Sequence, residues 1–258
     1  MPRLSAALAA LLLLGTAAAA DEKKVVIRWH GQSFFEIVSP AGAHVVIDPH
    51  AIENYGRKVV RADVVLMTHF HQDHTRLDAI PNAEKVTKIN ALKHSDHGDE
   101  FNSVDEKFKD VHVRTLGTYH DDTGGLQRGK NGVFILDVAG LRIAHLGDLG
   151  HLLSREQLRK LGEVDVLMIP VGGVYTINGL DAQKVVDQIK PRRYVIPMHY
   201  GTLVYNDLLD LKYFLDEQTM GTVQKFPTNE LVVDATAEVP KEPVIAILHW
   251  EGKKKDKD

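Results

Sequence analysis

The segment Thr68-His69-Phe70-His71-Gln72-Asp73-His74 places four potential metal ligands within six residues. Imidazole and carboxylate are common donors to divalent ions. In an extended loop, residues two apart point to one side, so His69 and His71 can grip one ion. Asp73 and His74 are expected to turn into a following helix and to face a neighbouring ion. The chain has no cysteine and fourteen histidines. Any metal must therefore be held by nitrogen and oxygen, and a cysteine nucleophile, zinc–thiolate sites, iron–sulfur clusters and disulfides are excluded.

The elements around the segment explain how such a site would be assembled. Residues 63–68 read as an apolar strand whose carboxyl end opens at a sheet edge, where α/β sheets place their sites. Three further predicted strands each end on a possible ligand: 111–116 runs on to His120, 141–146 to Asp148, and 194–197 to His199. Together these positions provide five histidines and two aspartates, enough for two ions with one carboxylate shared. Runs of β-branched and aromatic residues at 25–30, 34–39 and 44–48, divided by Gly31 and by Ser39-Pro40-Ala41-Gly42, predict an antiparallel meander. After it, strands at 132–138 and 165–169 alternate with helices. One helix begins at Ser154, with Gln157 as its capping-box partner. A second covers about 181–189 and stops at Pro191, and a third covers 206–217, with Leu208, Leu211 and Leu215 at helical spacing. A late strand is expected at 244–250. Meander plus alternation implies a single α/β domain, a sandwich in which helices cover sheets packed face to face.

The amino terminus reads as an address. Arg3, the apolar run 6–14, Gly15, and the small residues Ala18 and Ala20 predict a signal peptide over 1–20, cleaved before a domain spanning 21–258. The mature protein is then expected to be secreted or periplasmic, with no stable membrane insertion. With 31 basic and 35 acidic residues, the net charge of -4 argues against nucleic acid as a partner and leaves a small-molecule substrate.

The motifs Trp29-His30-Gly31-Gln32-Ser33-Phe34, Val46-Ile47-Asp48-Pro49, Thr68 to His74, Tyr119-His120-Asp121-Asp122, Ala144 to Gly150, Met168 to Gly173 and Ile196-Pro197-Met198-His199-Tyr200 resemble the metallo-β-lactamase superfamily. They are most similar to its branch of small metal-dependent hydrolases that includes the ascorbate-6-phosphate lactonase-like proteins. The resemblance implies a four-layer αββα sandwich. It also implies that His69, His71 and His120 hold one divalent ion, that Asp73, His74 and His199 hold a second, and that Asp148 bridges them. The ions would be zinc first, with manganese or iron as alternatives. Their shared water, present as hydroxide at neutral pH, would attack a small ester, lactone or phosphoester, with Asp73 orienting it and handling a proton. A lactam-degrading role is not expected, because that branch uses a cysteine or lacks the bridging aspartate. The alternative is a non-catalytic metal- or ligand-binding protein on the same scaffold. Asp48 is expected behind the ligand histidines, His145 behind them or in the core, and His30, Tyr175 and Tyr200 are candidates to touch substrate. Arg128-Gly129-Lys130-Asn131 fits either an anion site or an exposed turn.

Overall fold

The computed structural model describes residues 23–56, 58–216 and 221–251; the predicted signal peptide lies outside them. The chain begins with β1 (Lys24–Trp29), β2 (Phe35–Val38), β3 (His44–Ile47), β4 (Val64–Met67) and β5 (Thr87–Asn90). The hairpin β6 (Leu92–Ser95) and β7 (Gly98–Phe101) leads to β8 (Asp105–Phe108), β9 (Val111–Tyr119), β10 (Lys130–Val138) and β11 (Leu141–His145). There follow α1 (Arg155–Leu161), β12 (Val166–Pro170), α2 (Gly179–Ile189), β13 (Tyr194–Met198) and α3 (Lys212–Leu215). The described chain closes with β14 (Thr222–Lys225), β15 (Glu230–Asp234) and β16 (Val244–Ile247).

Two sheets carry the fold. One has the order β15-β1-β2-β3-β4-β5, the other β14-β16-β13-β12-β11-β10-β9-β8. Alternation along the strands sends Val64 and Leu66 of β4 into the core shared with the second sheet, and Val65 and Met67 to the opposite face. Both faces of β4 are thus covered, which accounts for its uninterrupted apolar sequence. The outer layers differ. Val185 and Val186 of α2 and Leu161 of α1 pack on the second sheet, whereas the outer face of the first is covered by Val60, Ala79, Ile80 and Val86 from irregular chain and a single 3-10 turn, Leu77–Ala79.

Local signals placed α1 and α2. Ser154 and Gln157 form the expected capping box. The Asn178 side chain accepts from the Asp181 amide and starts α2 two residues before the predicted position; the helix ends at Lys190 (φ 54°), ahead of Pro191. The helix expected over 206–217 is reduced to α3. The backbone of 208–210 is engaged elsewhere, since Leu209 N–H donates to Gly172 O, Gly201 N–H donates to Leu209 O, and Asp210 caps the Lys212 amide. Asp73 and His74 likewise enter a turn rather than a helix: His74 N–H closes on His71 O, and Arg76 N–H is drawn away to Pro49 O.

Direction decides where the site forms. β11, β12 and β13 are mutually parallel, and β9 runs the same way because both it and β11 are antiparallel to β10. The carboxyl ends of β9, β11 and β13 therefore share one edge of the second sheet.

Candidate metal centre

His120 follows β9 directly, Asp148 lies three residues past β11, and His199 follows β13. The 68–74 loop leaves β4 of the opposite sheet and brings His69, His71, Asp73 and His74 to the same place. The ligand atoms form three groups, each within 4.8 Å: His69, His71 and His120; His69, His74 and Asp148; and Asp73, His74 and His199. Asp148 Oδ2 stands at their centre, 3.1 Å from His199 Nε2, 3.2 Å from His120 Nε2, 3.3 Å from His74 Nε2 and 4.0 Å from His69 Nε2. His71 and Asp73 lie on the solvent side, and the other five are buried.

Residues behind the cluster fix its orientation. Asp48 accepts from the Thr68 amide (2.8 Å), from Thr68 Oγ1 (2.7 Å) and from His74 Nδ1 (2.9 Å). Because the Thr68 hydroxyl spends its proton on Asp48, it accepts from His69 Nδ1 at 2.9 Å. Both imidazoles thereby turn an Nε2 lone pair inward. Asn131 Oδ1 receives the Asp148 amide (2.9 Å), and its Nδ2 donates to Thr118 Oγ1 and Leu146 O. Ser33 Oγ donates to Asp148 Oδ1. His145 is a scaffold residue, with Nε2 donating to Ser33 O and Nδ1 accepting from the Gly147 amide. Close approach demands glycine at two points: a Cβ on Gly147 would lie 2.3 Å from Asn131 Oδ1, and one on Gly172 would lie 2.2 Å from His199 O.

The electrostatics are those of a cation site. Burial disfavours the Asp148 carboxylate, yet the charges of His199 and His74 and hydrogen bonds from His120 and His199 hold it well below its ordinary range. Burial opposes protonation of His74, but the charges of Asp148 and Asp48 raise it well above the usual imidazole value. Burial, and then His74, push His69 down; burial and His120 lower His71. Four imidazoles crowded on one carboxylate cannot all be protonated, and His74 Nε2, in its buried place, has no hydrogen-bond partner among the described residues. Divalent ions resolve both conditions, so the donor set fits a metal.

Two of the substrate-contact candidates are buried and packed on aromatic rings. Tyr200 is buried and stacked on Trp29 at 5.4 Å, and His30 is buried against Phe34, where burial and the charges of Lys58, His50 and Arg28 push it down to about 3. Tyr175 is exposed, with the Arg128 guanidinium 4.8 Å above its ring. Burial pushes the nearby Tyr205 phenol up to about 12, and the charges of Asp207, Asp73 and Tyr175 add to the shift. Sequence reasoning overlooked Tyr205, Thr68 as a relay, Asn131, and Gln32, whose Nε2 lies 3.4 Å from Asp73 Oδ2. Each is a polar residue whose role exists only once distant strands meet.

The fold and centre can now be set beside known proteins. Residues 26–199 match the model of the beta-lactamase superfamily domain. The chain belongs to this family. Within it, this member is 29% identical over 195 residues to a UPF0173 metal-dependent hydrolase of Thermoplasma acidophilum, covering 68% of this chain and 83% of the relative. A UPF0173 protein of Pyrococcus furiosus is 30% identical over 213 residues, 77% of this chain and 94% of the relative. A solved metallo-beta-lactamase superfamily structure from Thermotoga maritima superposes with a TM-score of 0.62 at 27% identity, covering 87% of this chain and 98% of that one. This beta-lactamase superfamily protein is a metal-dependent hydrolase on an α/β sandwich.

Proposed function

We propose that the hydrolase is exported, holds two divalent ions and cleaves a small ester, lactone or phosphoester. Export rests on the 1–20 segment, and the observation that carries the dinuclear reading is the meeting of all three ligand groups around Asp148 Oδ2. His69, His71 and His120 would hold one ion, Asp73, His74 and His199 the other, with Asp148 between them. When bound, such a pair of ions supplies a nucleophilic water at neutral pH and polarises the carbonyl or phosphoryl oxygen. Nitrogen and oxygen donors of this kind accept zinc, manganese or iron. Zinc is our first assignment, and zinc-dependent hydrolysis has been put forward for the Thermotoga maritima relative.

The chain's own residues complete the chemistry. Gln32 and His74 both approach Asp73 Oδ2, which leaves Oδ1 at the solvent side to accept a proton from the attacking water and return it to the leaving group. Burial raises the Asp73 carboxyl, but the approach and charge of His74, 3.5 Å away, outweigh it and keep the group ionised. Ser33 engages Asp148 Oδ1 and so leaves Oδ2 facing His199, His120 and His74. The test is metal analysis of the mature protein together with assays on aryl ester, lactone and phosphodiester panels, with Asp148→Ala and His199→Ala as controls. Two tightly held ions per chain, and turnover lost by at least about a hundredfold in both variants, are expected. Less than one tightly held ion at neutral pH would overturn the dinuclear reading.

A further inference from the structure

We propose that Arg128, lying over the Tyr175 ring between loops attached to His120 and His199, anchors a carboxylate carried by the substrate, which makes the natural substrate an organic acid. This inference rests on the hydrolase reading above and names the substrate class for it.

Arg128 sits in a loop built directly onto a candidate ligand. Its amide donates to Asp121 Oδ2 at 2.7 Å, and the carbonyl of the next residue, Gly129, accepts from the His120 amide at 3.0 Å. The side chain leaves this loop and crosses to another. Nη2 donates to Val174 O at 3.1 Å, and the guanidinium lies 4.8 Å over the Tyr175 ring. The 172–175 loop in turn leans on the other half of the centre, through the Gly172 amide on His199 O at 3.0 Å. The guanidinium thus spans loops attached to one ligand from each candidate metal group. Its orientation is fixed by the stack and the carbonyl, and a planar guanidinium on a ring face keeps its remaining N–H donors directed outward in a fork that matches a carboxylate.

The charge on that fork is uncompensated. Arg28, Arg114 and Arg142 all lie within 2.9 Å of a carboxylate, whereas Arg128 has none within 4.0 Å among the described residues. Its neighbour Lys130 is already used, donating to Asp99 O. Val174, which supplies the carbonyl, is a β-branched residue held at φ 61°, a strained conformation of the kind found at ligand clamps. Leu126, two residues before Arg128 on the same loop, is 87% exposed. A held, unpaired guanidinium between these two loops recognises an anion, and its planar fork favours a carboxylate.

The experiment compares p-nitrophenyl butyrate with mono-p-nitrophenyl glutarate, which adds a carboxylate at the acyl end, on the metal-loaded full chain. The wild type is expected to prefer the glutarate, and Arg128→Ala to reduce the kcat/KM ratio of charged over neutral ester about tenfold, through KM. Arg128→Lys should retain part of the ratio. Equal loss on both esters in Arg128→Ala, or no preference in the wild type, would overturn the proposal. If the wild type cleaves neither ester, the ester-hydrolase reading fails on its own, and calorimetric titration with phenylacetate decides the anchor. Binding weakened at least fivefold by Arg128→Ala, with unchanged thermal melting, would uphold it, and equal binding would overturn it.

Discussion

Asp48 carries more of the centre than its distance from the ions suggests. It adopts φ 48°, outside the ordinary strand region, and in that strained position one carboxylate sets the tautomer of two imidazoles, His74 directly and His69 through Thr68. Asp48→Ala should leave both rings free to rotate and to protonate at Nε2. Metal affinity is then expected to fall by about ten- to a hundredfold in competition with a chromophoric chelator; an unchanged affinity would show that packing alone orients the histidines. Thr68→Val tests the relay separately. It removes the acceptor for His69 Nδ1 but keeps His74 on Asp48, so its loss should be smaller and confined to one of two binding phases. In the wild type, affinity should decline as pH falls and the decline should begin above the ordinary imidazole range, because His74, raised well above it, must shed its proton to bind a metal.

At the scale of elements, the strand ends carry the argument. His120, Asp148 and His199 were legible as candidate ligands because apolar runs long enough to be strands stop just before them, and parallel direction then brings the stops to one edge. The hairpin of β6 and β7 was not legible: Lys93 faces Glu100 and His94 faces Asp99 across it, so it shows no apolar alternation, and its packing, with Phe101 5.6 Å from Tyr119 and the His94 ring stacked 3.9 Å from Phe70, is long-range. The helical spacing of Leu208, Leu211 and Leu215 was overridden by backbone bonds to Gly172 and Gly201 for the same reason. Strand pairing also has its own electrostatic pin. Asp137 on β10 meets Arg114 of β9 at 2.8 Å and Arg142 of β11 at 2.7 Å. Burial raises its carboxyl, but the two arginines win and hold it below the ordinary value. A depressed pKa contributes stability that is present above the unfolded value near 4 and lost as pH falls through the folded one. Asp137→Asn should therefore cost about 1 kcal/mol in denaturant unfolding at pH 7, a modest figure because all three groups are partly solvated. The gap should close toward pH 3, and a gap of equal size there would assign the effect to hydrogen bonding rather than charge.

Across the whole molecule, the centre joins two halves that share an apolar core and a few polar links, among them Lys109 to Asp63 and His145 to Ser33 O. The 68–74 loop belongs to the first sheet, and His120, Asp148 and His199 belong to the second. Ions held by both sets would tie the sheets at one edge of the sandwich, so metal binding should be a folding interaction as well as a catalytic one. Ligand that binds only the native state at about a hundred times its Kd stabilises by about 2.7 kcal/mol. For a domain of this size each 1 kcal/mol corresponds to a Tm change of about 2–4 °C, so chelation should lower Tm by roughly 5–10 °C, and graded zinc should restore it in proportion to the logarithm of concentration. Asp148→Ala should abolish that dependence, because it removes the group on which the three ligand clusters converge. His71→Ala, whose residue stands at the solvent side of the 68–74 loop, should keep part of it. A Tm indifferent to chelator in the wild type would mean that the apolar core alone holds the sheets in register, and the centre would then be a passenger on a scaffold that is complete without it.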